Sequence, residues 1–158
     1  MSLKKSSIYL SIIIFAIANG LLFAIPVEAI TQDFRWTGLA GYSVRGTLDY
    51  DETTNTKIIA KKGAERTVSL KSLTVTFYTP AGEAIDRYEN VVDGEIKGNY
   101  FEVNIDPKTQ QLFGNLDLGG EKAGEIFLKG TVDRQLSLVK IAPSGKEYLL
   151  DSDREKIN

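Results

Sequence analysis

The amino-acid sequence predicts an all-β fold: a single antiparallel β-sandwich or barrel, mostly a meander, behind an N-terminal signal segment. Three observations predict it. From Tyr42 to Asp51 the chain alternates without a break. Tyr42, Val44, Gly46, Leu48 and Tyr50 fall on one parity, and Ser43, Arg45, Thr47, Asp49 and Asp51 on the other, as a strand with one buried and one wet face requires. Turn signals at Pro80, Gly94, Pro107, Gly120, Arg134 and Gly145 recur about every 10 to 14 residues, with period-two runs between them. No stretch after Ile30 carries a helical repeat of useful length, which argues against parallel strand–helix–strand units.

Residues 1–29 read as an export signal. Lys4 and Lys5 supply the charged start, and Ile8–Ile25 is apolar apart from Ser11, Asn19 and Gly20. Pro26 then stops a helix, and Val27-Glu28-Ala29 offers a signal-peptidase site. Cleavage after Ala29 leaves 129 residues, enough to bury a core without covalent staples. The competing reading is an uncleaved anchor through residues 8–25, because 18 apolar residues approach the length that spans a bilayer. Either reading places Ile30 onward outside the cytoplasm, secreted, periplasmic or tethered to the membrane.

The β domain is expected over residues 30–150. Phe34 and Trp36 open it, and Gly38 and Gly41 bracket a bend before the long strand. Asp51–Thr56 is a polar turn, Lys57–Ala60 a short strand and Lys61–Thr67 a loop. Leu70–Thr79 puts Leu73, Val75 and Phe77 on one face and Thr74, Thr76 and Tyr78 on the other. Pro80-Ala81-Gly82 turns the chain, Ala84–Val92 follows, and Asp93-Gly94 marks a hairpin. In Asn99–Asp106, Phe101, Val103 and Ile105 alternate with Glu102, Asn104 and Asp106. Asp106-Pro107-Lys108-Thr109 fits a type I turn before a strand over Leu112–Leu118. Gly119–Gly124 is a loop, and Glu125–Asp133, Leu136–Ala142 and Lys146–Leu150 are the last strands. Asp151–Asn158 reads as a disordered tail.

Composition removes several kinds of chemistry. The chain has no cysteine and no histidine, so disulfides, Cys/His zinc sites, thiol nucleophiles and histidine-based triads are excluded. Its net charge is −2, or −3 after cleavage with 17 basic and 20 acidic residues, which gives no electrostatic footprint for nucleic acid. The basic cluster Lys61, Lys62 and Arg66 is interrupted by Glu65 and reads as a solvated loop.

Two glycine motifs lead nowhere. Gly41-Tyr42-Ser43-Val44-Arg45-Gly46 lacks the spacing, the helix and the histidine of a nucleophile elbow. Gly119–Gly124 has phosphate-loop spacing but is followed by Glu125-Ile126 and a strand, not by lysine and a helix. Asp49, Asp51 and Glu52 crowd one strand end and are the candidates for a hard cation such as calcium. Two or three carboxylates fall short of its usual oxygen count, and a solvated strand end that discourages edge pairing accounts for them as well. A glycosidase needs two acids across a cleft, and nothing in the sequence pairs any two.

Aromatic parity is the remaining signal. Tyr78, Tyr100, Phe113 and Phe127 each lie opposite the aliphatic stripe of their strand. If those faces are wet, the four rings form a ligand platform on one sheet, suited to glycan rings, a protein or a lipid surface. If they are covered by Phe34–Trp36 or by residues 57–67, they pack as a second small core.

Several segments resemble a group of small exported cyanobacterial proteins that often carry a PEP-CTERM sorting tail. The similar pieces are Trp36-Thr37-Gly38 with Gly41-Tyr42 and Gly46, Leu48–Glu52, Leu73–Phe77, Leu112-Phe113-Gly114, and Gly119-Gly120 leading to Phe127–Val132. The resemblance implies export and a β-rich domain, with no catalytic residues to carry over. The chain departs from the anchored members after Asp151, where it has no Pro-Glu-Pro motif, apolar span or basic tail. The expectation is therefore a cofactor-free, non-enzymatic envelope domain with a binding or structural role, toward extracellular polysaccharide or an envelope protein. The alternatives are a closed barrel carrying a small apolar ligand and a carboxylate-based hydrolase.

Overall fold

Two antiparallel sheets, with no helix among the described residues, make up the domain. The computed structural model describes residues 28–51, 58–62 and 70–154, with the backbone alone described over 58–62. The signal segment, apart from Glu28 and Ala29, lies outside them, as does Glu52.

The first sheet has the order β1 (Ala29–Thr37), β2 (Ser43–Asp51), β4 (Leu70–Tyr78), β5 (Ala84–Val92) and β6 (Glu95–Ile96). The second has the order β12 (Glu147–Ser152), β11 (Gln135–Ile141), β10 (Ile126–Thr131), β9 (Asn115–Gly119), β7 (Phe101–Asp106) and β3 (Ile58–Lys62). The short β8 (Gln111–Leu112) pairs with β7. One of the two sheets curls into a half-barrel. The meander is interrupted at β3, which leaves β2, pairs with β7 at the far edge of the second sheet, and returns so that β4 can pair with β2.

The alternation of Tyr42–Asp51 is realised in β2, where Val44, Gly46, Leu48 and Tyr50 are buried. Leu73, Val75 and Phe77 of β4 continue the same layer. Phe101, Val103 and Ile105 of β7, Leu118 of β9, Leu128 of β10 and Leu138 of β11 complete the core. Burying each such side chain contributes about 1.5–3 kcal/mol relative to exposure. Gly46 belongs to the buried parity for a steric reason. Its cross-strand partner is Phe34, whose ring occupies the volume a Cβ at position 46 would take.

Turn chemistry also follows the sequence. Asp93 (φ 50°) and Gly94 (φ 75°) both lie in the left-handed region, the type I′ arrangement that suits the twist of a two-residue hairpin. One expected strand is divided. Gly114 adopts φ 66° and breaks Leu112–Leu118 into β8, which pairs with β7, and β9, which pairs with β10.

The tail is a further correction. β12 runs to Ser152, and Asp151 is only 5% exposed. Its Oδ1 accepts the Ala40 N–H at 2.9 Å and the Ser152 N–H at 2.7 Å, and its Oδ2 accepts the Tyr42 N–H at 3.0 Å. Gly38 leaves the space this carboxylate needs, because a Cβ there would overlap it. Trp36 Nε1 also donates to Asp153 Oδ2 at 3.2 Å. A charged residue in such a polar stretch reads as solvated until the backbone donors it serves are seen.

Candidate functional site

A groove of about 460 Å³ runs along the solvent face of the first sheet. Its concavity has a local cause. Strand register shifts at Asp49/Tyr50 between β2 and β4, and at Leu73/Thr74 and Phe77/Tyr78 between β4 and β5. Such bulges bend and twist a sheet.

The groove is built from the wet parity of four strands. In one cross-strand row, Arg35 of β1 faces Arg45 of β2, Arg45 faces Thr76 of β4, and Thr76 faces Arg87 of β5. The next row holds Asp33, Thr47 and Thr74, and the one after it Asp49 beside Ser72. Tyr78 lies one row along on the other side of the arginines, and the Arg45 guanidinium sits 4.9 Å from its ring centroid. Each of these residues alternates with a core residue, so the same pattern that fills the interior presents them outward.

The polar groups fall into two zones. Asp33 Oδ1 accepts from Thr47 Oγ1 at 2.7 Å, and Asp49 accepts from Thr31 Oγ1 at 2.6 Å and from Ser72 Oγ at 2.5 Å. These carboxylates are oriented by hydroxyls of their own sheet and keep further lone pairs for a ligand. Arg87 lies 3.7 Å from Glu89, an exposed and weak pair. Arg35 and Arg45 make no ion pair among the described residues. One end of the groove is thus cationic and the other acidic. Asp33 and Asp49 stand on adjacent strands of one face, one cross-strand row apart.

The four aromatic candidates are not brought together. Tyr78 is half-buried in this groove, whereas the other three belong to the second sheet or its approach. Phe127 is 5% exposed and lies under Lys129, whose Nζ is 5.3 Å from the ring and pairs with Glu147. Tyr100, 43% exposed, donates its hydroxyl to Glu102 Oε2 at 3.3 Å. Phe113 is half-buried between β8 and β9. The single platform fails because parity within a strand says which face a ring takes, not which sheet it joins.

The calcium candidates are likewise engaged. Asp49 holds its two hydroxyl donors and Asp51 pairs with Lys71. Among the described residues no three carboxylates gather into a metal-holding group.

Two other features mark the second sheet. Burial lifts the Asp117 carboxyl to about 6, with Lys129 opposing and Glu147, Glu121 and Glu102 reinforcing the rise. An apolar crevice of about 360 Å³ opens beneath β1, lined by Phe34, Trp36, Leu112, Leu128, Val132 and Leu136 among others.

The arginine row was hidden from sequence reasoning. Each arginine could be assigned to a wet face by parity, but only strand register aligns Arg35, Arg45 and Arg87. No family model, curated protein or solved structure matches the chain.

Proposed function

We propose that this chain is an exported cell-envelope domain with a non-enzymatic binding role, and that the groove on its first sheet receives extracellular polysaccharide. The observation that carries this reading is the lining of the groove. Hydroxyls of Thr74 and Thr76, carboxylates of Asp33 and Asp49, guanidinium groups and one aromatic ring converge on an open, elongated surface. Saccharides are held by fixed donors and acceptors around a small apolar plate. The export half of the proposal rests on residues 1–29 and on the resemblance of the β domain to small exported cyanobacterial proteins.

Affinity electrophoresis of the full chain through gels cast with envelope polysaccharides tests the binding half. Retarded migration that is lost in Tyr78→Ala and in Asp49→Asn is the expected result. Unretarded wild-type protein in every gel discards it. N-terminal sequencing of the envelope-fraction protein tests the export half, with Ile30 as the expected first residue.

A second reading follows from the crevice beneath β1. Its apolar lining and its volume suit a small apolar ligand, which would enter at the edge of the sandwich instead of filling a closed barrel. Displacement of a fluorescent apolar probe by Leu136→Trp distinguishes this site from the groove.

A further inference from the structure

The geometry points to an oxyanion subsite at the arginine row, so that the saccharide taken by the groove is an acidic one, bearing uronate carboxylates or sulfate esters. This rests on the reading of the groove as a saccharide site and names the class of saccharide. The argument begins with placement. Three of the chain's six arginines occupy one cross-strand row, in a chain whose net charge is −2. Arg35 and Arg45 are directly opposed, and like charges in that position destabilise an antiparallel pair. Among the described residues no carboxylate forms an ion pair with either of them. Asp33 and Asp49 are turned to Thr47, Thr31 and Ser72, and Glu89 reaches Arg87 only at 3.7 Å.

A bound oxyanion removes the conflict. A guanidinium presents a planar fork that matches a carboxylate or sulfate with two parallel hydrogen bonds. The Tyr78 ring beneath Arg45 holds that fork in place. Arginine, not lysine, fills all three positions, and no lysine is among the described residues that line the groove. Fork recognition explains that choice, whereas solubility alone does not. On this geometry the charged substituent of a sugar sits between Arg35 and Arg45, Arg87 approaches from beyond Thr76, and the ring hydroxyls reach toward Asp33 and Asp49.

The test is calorimetry of the purified full chain at constant ionic strength with trigalacturonate, a sulfated galactan trisaccharide and neutral galactotriose. The expected result is saturable binding of at least one acidic probe, at least tenfold tighter than the neutral one. Arg35→Gln with Arg45→Gln should abolish that preference, and Arg45→Lys should keep only part of it. Which acidic probe wins separates carboxylate from sulfate. Equal binding of acidic and neutral probes overturns the oxyanion subsite and leaves the saccharide site standing. If no saccharide binds, the saccharide reading falls. Nuclear magnetic resonance of arginine Nε–H groups then decides the subsite, with inorganic sulfate titrated against chloride. Saturable shifts at Arg35 and Arg45 support it with another carrier, and their absence overturns it.

Discussion

Asp151→Asn is the sharpest perturbation of the fold. Asparagine keeps the shape of the side chain but replaces one acceptor oxygen with a donor. In wild type Oδ1 accepts two backbone N–H groups and Oδ2 a third. The better amide orientation retains the Ala40 and Ser152 bonds and sets an NH₂ against the Tyr42 N–H. A hydrogen bond to a charged group is worth about 1.5–3 kcal/mol. The two surviving bonds lose their charge assistance, so the total cost should be about 2–4 kcal/mol. For a chain of this size that corresponds to a Tm lower by roughly 6–15 °C. Urea unfolding measures the change directly. Hydrogen exchange should show protection falling first at the Ala40 and Tyr42 amides. A variant within about 0.5 kcal/mol of wild type, with both amides still protected, would refute the role assigned to this carboxylate.

Three further perturbations probe other layers. Tyr88 donates its hydroxyl to Asp86 Oδ2 at 2.5 Å and accepts the Ile126 N–H at 3.2 Å, so Tyr88→Phe should cost about 1–3 kcal/mol in urea unfolding. Burial and Asp86 hold this phenol above its ordinary value. The unfolded chain therefore ionises first, stability falls as pH rises past 10, and the variant should lack that contribution to the fall. The Asp117 carboxyl at about 6 lies above the ordinary 3.8. The folded state binds the proton more tightly, so stability declines as pH rises from 4 to 6. Asp117→Asn should flatten that window and gain about 1–2 kcal/mol at pH 7 after allowance for solvent screening, as read by melts at stepped pH. Gly46→Ala must expel the Phe34 ring. It should cost about 1–3 kcal/mol in urea unfolding and alter access to the crevice beneath β1, read by uptake of an apolar fluorescent probe.

The strands were legible because burial writes a period of two into each of them. β2, β4, β5 and β7 fall within two residues of their expected bounds, and Asp93-Gly94 supplies its turn by residue type alone. Pairing at long range was not legible. Nothing in the sequence near Ile58 says that its strand joins β7 instead of its chain neighbours, because that pairing depends on β7, some forty residues further along. The groove shows the same division. Parity assigns Tyr78, Arg45 and Thr76 to a wet face, but the row of arginines exists only through the register of three strand pairs. Asp151 was misread because its partners lie 111 and 109 residues away.

The excursion of β3 has a consequence for biogenesis. A chain emerging N-terminus first produces Ile58–Lys62 long before Phe101–Asp106, its hydrogen-bonding complement, exists. During that interval a five-residue segment that begins with the apolar Ile58, Ile59 and Ala60 faces other nascent chains with its ladder unfilled. The pair Lys61-Lys62 at its end supplies the kind of charged gatekeeper that discourages premature cross-chain association.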